Sequence, residues 1–356
     1  MIFCLTVATA AFPATLSRRR PITMRTPLII DTDVGADDLA TLAAAAAAKA
    51  PLCLVTTSSG LSPPGHGHIT VRRTLNALGL SQVPVVAGAE RPPAYVARAK
   101  ADWEVEYGPR LDAVVTGCGI EPVTAEQAQD TGSAADAADA IVETATAAGG
   151  GATILALGAL TNVAAAWERQ PEAFARSVER VVFIGDTQNR PSYNVDLDPL
   201  ALQTVLRSGV ELVLVGHRCF PSPAWVEALF ASTAEASRDG DETRRPGSDA
   251  PTAPAAAMLQ RLGRLDAYSF CYDPLALLYH LEPDAFVVED NGGGGGGDGD
   301  GNGSGAQPVR VQQRDGAWHF EACAKAEAGG HAREPSSVTL QRYAAFLTRL
   351  SELPAK

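Results

Sequence analysis

The stretch that most constrains the fold is residues 27–50, PLIIDTDVGADDLATLAAAAAAKA. An apolar run at residues 28–30 ends in acidic residues, and an alanine-rich segment of strong helix propensity follows within a few positions. Four carboxylates therefore lie between the end of a predicted strand and the first turn of a predicted helix, namely Asp31, Asp33, Asp37 and Asp38. Open α/β sheets bind their ligands outside the carboxyl ends of the strands, so this stretch predicts a polar site there.

The other apolar runs predict an α/β fold with an open, mostly parallel, Rossmann-like sheet. These runs are continuously apolar instead of alternating, which is typical of strands covered by helices on both faces. Further strands are predicted at residues 52–57, 83–88, 153–157, 181–184, 212–215, 285–288 and 308–312. Helices are predicted at 71–78, 134–148, 161–169, 223–232, 254–262, 274–280 and 338–351, and an irregular, partly ordered lid at 92–124.

We expect a single domain over residues 27–352, preceded by an N-terminal extension at residues 1–26. Residues 1–23 contain no acid, a short apolar run and three consecutive arginines. This composition fits an organellar targeting segment, and the alternative is a non-functional or disordered extension with Met24 as the working start. Without targeting, we expect a cytoplasmic protein. Residues 291–305, which include six consecutive glycines, predict a flexible surface insertion.

Composition restricts the partners that such a chain can have. The net charge of -12 argues against nucleic acid as a partner, since binding a phosphate backbone requires clustered Lys and Arg. The apolar run near the N-terminus is too short to span a bilayer, and we expect no membrane partner. The six cysteines form no CxxC pair, which indicates reduced thiols instead of a disulfide framework or a zinc site. A small neutral or cationic ligand, or a metal ion, remains.

The four aspartates belong to a string, DTDVGADD at residues 31–38, that resembles the DxDxGxDD fingerprint of the inosine–uridine-preferring nucleoside hydrolase family. Three further segments resemble that family in the same order: LGALTNVA at 157–164, YNVDLDP at 193–199 and DPLA at 273–276. A weaker match is PVVAGA at 84–89. On these motifs the chain is identified as a member of the family from about residue 28 to residue 283, which implies the nucleoside hydrolase fold.

The resemblance implies a tightly bound calcium ion. Its protein ligands would be the carboxylates of Asp33, Asp38 and Asp273 and the backbone carbonyl of Thr161. Such a mixture of carboxylate and carbonyl oxygens suits a hard cation. The implied reaction is hydrolysis of the N-glycosidic bond of a ribonucleoside to free base and ribose, through an oxocarbenium-like state.

The resemblance also implies roles for individual side chains. Asp33 would be the general base that deprotonates the water nucleophile, and Asp31 would support the site. Asp37 and Asn194 would bind ribose hydroxyls, as would Asn189, although a shortened loop leaves the register of Asn189 open. Members of the family are commonly dimers or tetramers, so a homo-oligomer is expected.

Three positions depart from the family pattern. Tyr272 stands where the family often has a histidine, and a phenol is a poorer acid than an imidazolium near neutral pH. Tyr272 could contact the leaving base by a hydrogen bond, stack on it, or serve only in packing. Ser192 replaces a glutamate and Leu61 replaces an asparagine of the ribose site.

The histidines offer further candidates for contact with the leaving base. His66 and His68 follow the second strand on a segment rich in Gly and Pro, which predicts a loop at the same end of the sheet. A histidine on such a loop is ordinarily solvated. His217 follows the strand at 212–215, and we expect it to be structural. We expect the loops around Trp103 and Trp225 to set the base preference.

Two alternative functions remain. The first is a catalytically weakened nucleoside- or ribose-binding protein on the same fold. The second is a haloacid-dehalogenase-type phosphatase, whose pattern is matched in part by residues 29–34 and 183–189, with Asp31 as nucleophile and Asp33 as acid/base. This sequence lacks the second acid that the phosphatase pattern requires a few residues after Asp186. The pattern also leaves Asp37 and Asp38 unexplained.

Overall fold

The computed structural model describes residues 26–88, 101–129, 134–186, 193–239, 253–287, 306–314, 317–322, 330–333, 335 and 337–352. The strands of this part of the chain are β1 (Leu28–Thr32), β2 (Leu52–Thr57), β3 (Val85–Ala87), β4 (Ala152–Ala156), β5 (Val178–Ile184), β6 (Glu211–Val215), β7 (Phe286–Val287), β8 (Ala306–Arg314), β9 (Ala317–Ala322), β10 (Gly330–Arg333) and β11 (Ser337–Val338).

Within the described residues, nine of these strands form one sheet in the order β3-β2-β1-β4-β5-β6-β10-β8-β9. The first six are parallel, as is the pairing of β10 with β6, whereas β8 and β9 add antiparallel pairs at one edge. β7 and β11 form a separate antiparallel pair. The predicted open, mostly parallel sheet is confirmed.

The helices are α1 (Ala36–Ala47), α2 (Pro64–Ala77), α3 (Gly108–Gly117), α4 (Ala134–Ala147), α5 (Thr161–Arg169), α6 (Pro171–Ser177), α7 (Tyr193–Leu197), α8 (Pro199–Arg207), α9 (Pro223–Asp239), α10 (Pro254–Leu265), α11 (Pro274–Leu281) and α12 (Leu340–Ser351). They cover both faces of the sheet, because Leu28 and Ile30 of β1 belong to one buried apolar cluster and Ile29 to another. No helix in the described ranges is both long enough and apolar enough to cross a bilayer.

Two predicted segments are corrected by the structure. Helix α2 begins at Pro64 instead of Val71, so His66 and His68 lie in its first turns and not on a loop. Proline suits the first turn of a helix, where its missing N–H has no partner to lose. The predicted irregular lid is wrong for Trp103–Tyr107, a π-helical turn, and for α3, which continues it. Residues 1–25, 92–100 and 291–305 lie outside the described residues.

Candidate active site

A cavity of about 690 Å³ opens at the carboxyl ends of the central strands. Its walls include Asp33 after β1, Leu157 after β4, Asp186 after β5 and His217 after β6. Since all four strands are parallel, their carboxyl ends meet at the same edge of the sheet. The cavity therefore lies where the first acidic segment predicts a polar site.

Three carboxylates form a tight cluster that borders this cavity. Asp37, Asp38 and Asp273 each offer a carboxylate oxygen that lies within 4.8 Å of the other two. Asp37 and Asp38 belong to the first turn of α1, and Asp273 immediately precedes α11. Two helix N-termini thus converge on the cluster, and their positive dipole ends favour negative charge there.

Local hydrogen bonds fix the first of these turns. Val34 adopts a positive φ of 61°, which turns the chain from β1 into α1. Asp38 accepts a hydrogen bond from the backbone N–H of Gly35 at 2.6 Å and another from the hydroxyl of Thr32. Asp38 therefore closes the N-terminus of α1 and is held at the cavity at the same time.

The electrostatics of the cluster favour a bound cation. Burial, followed by repulsion from Asp33, raises the pKa of Asp37 from 3.8 to about 7. Burial and neighbouring carboxylates also raise the pKa of Asp38 and of Asp273 well above the ordinary value. A donor set made only of crowded carboxylate oxygens fits a hard divalent cation, whose charge would offset the repulsion.

Asp33 lies beside the cluster and borders the cavity with only 1% of its surface exposed. Its Oδ2 accepts a hydrogen bond from the backbone N–H of Leu61 at 2.9 Å. Gly60 packs so closely that a Cβ atom there would lie 1.9 Å from this oxygen. The structure places Asp37, and not Asp33, in the group of three. The ligand and base roles of Asp33 and the ribose contact of Asp37 stay predictions.

The other predicted site residues are only partly described. Thr161 begins α5, and its hydroxyl donates to Asp198 at 2.7 Å, whereas its carbonyl role stays a prediction. Asn194 borders the cavity, and its amide nitrogen donates to the backbone oxygens of Leu157 at 2.6 Å and of Ile184 at 3.1 Å. This pair of bonds fixes the orientation of the Asn194 amide. Asn189 and Ser192 lie outside the described residues.

Asp31 is a supporting residue and does not border the cavity. It is fully buried, and its Oδ1 accepts hydrogen bonds from Thr56 at 2.6 Å and Asn162 at 2.8 Å. Burial raises its pKa to about 7. A buried, hydrogen-bonded carboxylate cannot attack a phosphoryl group in the cavity, which argues against the phosphatase alternative.

Aromatic side chains form a further part of the cavity lining. We call this set the aromatic wall, and it consists of Tyr107, Tyr193, Phe220, Tyr268 and Tyr272. The ring of Tyr272 packs edge-on against Phe220 at 4.7 Å and against Tyr268 at 5.0 Å, and its hydroxyl is hydrogen-bonded to that of Tyr268. Burial, followed by this hydrogen bond, raises the pKa of Tyr272 well above its usual range, so its phenol is a weak proton donor.

The aromatic wall is anchored by a cation that the sequence interpretation missed. The guanidinium of Arg110 lies 4.9 Å from the ring centroid of Tyr268 and forms an ion pair with Asp266 at 2.6 Å. Arg110 borders the cavity as well. Neither Trp103 nor Trp225 does: Trp103 packs against His66, and Trp225 stacks over Tyr343.

The histidines occupy places that the sequence does not predict. His66 is buried against the ring of Trp103 at 4.6 Å, and neither His66 nor His68 borders the cavity. His217 does border it, with 59% of its side chain exposed, and its Nδ1 is hydrogen-bonded to the carboxylate of Asp186. His217 therefore makes the hydrogen bond expected of a structural histidine and borders the cavity as well.

Comparison with known proteins assigns the family. The model for the inosine-uridine preferring nucleoside hydrolase family matches residues 28–339, and the chain belongs to this family. Among curated relatives, the non-specific ribonucleoside hydrolase RihC of Klebsiella pneumoniae subsp. pneumoniae is 32% identical over 206 residues, which cover 54% of this chain and 62% of RihC. The pyrimidine-specific ribonucleoside hydrolase RihA of Enterobacter sp. is 28% identical over 220 residues, which cover 58% of this chain and 66% of RihA.

Solved structures show the same fold. The purine-preferring ribonucleoside hydrolase from Gardnerella vaginalis superposes with a TM-score of 0.61 at 17% identity, covering 92% of this chain and 98% of that protein. An inosine-guanosine nucleoside hydrolase superposes with a TM-score of 0.62 at 17% identity, covering 93% of this chain and all of that one. At this identity the likeness establishes the architecture, which is the α/β nucleoside hydrolase fold.

Proposed function

We propose that the protein is a calcium-dependent ribonucleoside hydrolase that cleaves the N-glycosidic bond to release free base and ribose. The observation that carries this proposal is one cavity whose lining combines a carboxylate cluster with the aromatic wall. The cluster suits a hard cation and the hydroxyls of a sugar. The wall suits a planar aromatic group such as a nucleobase. Family membership supports the same reaction.

Asp38 and Asp273 would hold the cation, together with Asp33 and the carbonyl of Thr161 as the family resemblance implies. When bound, the cation makes an adjacent water more acidic and orients it. Asp33 would accept the proton of the water that attacks the anomeric carbon. Its tight seat against Gly60 and Leu61 fixes the direction in which the carboxylate points.

The remaining groups hold the two halves of the substrate. Asp37 and the oriented amide of Asn194 bind hydroxyls of the ribose. The crowded carboxylates stabilise the positive charge that develops on the sugar as the glycosidic bond breaks. Tyr272 and Phe220 offer their rings to the leaving base, in a role that needs no proton transfer from the phenol.

A nucleoside panel tests this function. Purified protein, first freed of metal with a chelator, is incubated with inosine, uridine, adenosine or cytidine, with and without added calcium, and reducing sugar is measured. We expect ribose release that requires calcium. Calcium binding and nucleoside binding without turnover would support the binding-protein alternative instead. Magnesium-dependent release of phosphate from a phosphomonoester would support the phosphatase.

A further inference from the structure

Asp186 and His217 form a pair that the sequence motifs of the family fingerprint do not include. Asp186 follows β5 and His217 follows β6, which are neighbouring parallel strands. Asp186 is 3% exposed. Its Oδ2 accepts a hydrogen bond from the backbone N–H of His217 at 3.0 Å and is also hydrogen-bonded to the ring Nδ1 of His217. One carboxylate oxygen thus holds both the backbone and the ring of His217.

The backbone at this position allows the close contact. Gly216, between β6 and His217, packs on Asp186 so tightly that a Cβ atom there would lie 2.4 Å from the Cβ of Asp186. Because the Nδ1 of His217 is hydrogen-bonded to a carboxylate, Nε2 is the ring nitrogen that can contact a ligand in the cavity. Catalytic histidines that transfer protons are oriented by a carboxylate in the same way.

The proposed reaction needs such a group, because a nucleobase leaves more readily when it accepts a proton. Tyr272 is a weak donor, since its hydroxyl is bonded to Tyr268 and its pKa is raised far above neutrality. Among the described residues that border the cavity, His217 is the single histidine. Three strand spacings of about 4.8 Å separate β1 from β6, so His217 and Asp33 reach the cavity from strands that are not neighbours.

We propose that His217, positioned by Asp186, is the acid that protonates the leaving base; this role rests on the proposed hydrolase function. As the glycosidic C–N bond breaks, its electron pair goes to the base, and a basic atom of the base takes the proton from Nε2 of the imidazolium. The oxygen of water bonds to the anomeric carbon, and its proton goes to Asp33. The imidazole then regains a proton from solvent, and Asp33 releases its proton to solvent.

The test compares two substrates whose leaving groups differ. The first is the fastest nucleoside of the panel, and the second is 4-nitrophenyl β-D-ribofuranoside, whose nitrophenolate leaves without protonation. For His217→Gln we expect kcat on the nucleoside to fall by about 10²-fold or more, within the range for general-acid catalysis. Turnover of the nitrophenyl riboside should stay close to that of the unmodified enzyme, which also shows that the variant is folded.

The matched control is Arg218→Gln, which changes the next residue in the same turn. Arg218 is exposed and does not border the cavity, so both activities should be retained. Asp186→Asn should show the same split between substrates with a smaller loss, because Asp186 acts only by positioning the ring. We expect Asp186→Asn to retain more nucleoside activity than Asp186→Ala, because the amide oxygen of asparagine can still accept a hydrogen bond from Nδ1–H.

Two results would overturn the role of His217. Equal losses on both substrates would mean that it binds ribose or supports the cavity, and an unchanged nucleoside kcat would mean that it takes no part. An unmodified enzyme that cleaves neither substrate would instead refute the hydrolase function, and this proposal with it.

Discussion

The two sides of the cavity differ in how they are built. The carboxylate cluster comes from two short segments, the first turn of α1 and the residue that precedes α11. The aromatic wall, with His217, comes from the π-helical turn before α3, from α7, from the segment after β6 and from the turn before α11. The cluster coincides with family motifs, whereas the wall includes Tyr272, one of the three departures from them. The two sets meet at Tyr272 and Asp273, which are adjacent in the sequence and belong to the wall and to the cluster respectively.

The largest expected effect distinguishes the role proposed for Asp33 from the role proposed for His217. Asp33→Asn should lower kcat by about 10²- to 10⁴-fold, because a general base is lost. The loss should be equal for the nucleoside and for the nitrophenyl riboside, unlike that of His217→Gln, since both substrates need an activated water. Steady-state kinetics on the two substrates provide the measurement. Asp139→Asn, at an exposed carboxylate paired with Arg169, is the control and should retain activity. A loss confined to the nucleoside would contradict the assignment.

An intermediate effect concerns the repulsion within the cluster. The folded-state pKa of Asp37 is about 7 and its ordinary value is 3.8. Between these values the folded state binds more protons than the unfolded state, so the free energy of unfolding of the metal-free protein should fall as pH rises from about 4 to about 7. In Asp37→Asn this fall should be shallower, and the variant should unfold at the higher temperature at pH 8.

Thermal unfolding of the metal-free proteins at pH 5 and pH 8 measures this difference. Added calcium should raise the unfolding temperature of the unmodified protein most at pH 8, where the carboxylates are charged. If Asp37→Asn were less stable than the unmodified protein at both pH values, Asp37 would stabilise the fold. Repulsion between its carboxylate and its neighbours would then not destabilise the metal-free protein.

The smallest expected effects lie in the aromatic wall. Tyr272→Phe removes only the hydrogen bond to Tyr268, worth about 1 kcal/mol, and should leave kcat nearly unchanged. Tyr272→Ala removes the ring and should raise KM, since an aromatic pair contributes about 0.5–1.5 kcal/mol. Steady-state kinetics on nucleosides distinguish the two variants. A hundredfold drop in kcat for Tyr272→Phe would identify the phenol as the acid and exclude His217.

Much of the sheet was predictable because its strands are continuous apolar runs, as at β4, β5 and β6. The first acidic segment was predictable for a related reason, since a strand end and a helix start lie within a few residues. Helix α2 was predicted to start too late because Gly, Pro and His crowd its first turns. Its early start depends on packing that local propensity does not contain.

The other side of the cavity could not be predicted from local patterns. His217 gains its role from Asp186, which lies 31 residues away in the sequence and meets it only through the pairing of β5 with β6. Arg110 and Asp266 are separated by 156 residues. Tyr268 could have been predicted from the sequence, since it lies only four residues before Tyr272.

The seat of Asp33 against Gly60 has a consequence for protein engineering. Because no atom can be added at Gly60 without displacing the carboxylate, we expect substitutions there to give mostly inactive variants. Residues of the aromatic wall touch one another through their rings and one hydrogen bond between hydroxyls, and ring contacts of this kind tolerate exchange of one ring for another. A directed-evolution library for new leaving groups should therefore diversify Phe220, Tyr268 and Tyr272 and keep the turns around Asp33 fixed. We therefore expect the turns around Asp33 to tolerate little substitution and the aromatic wall to tolerate more.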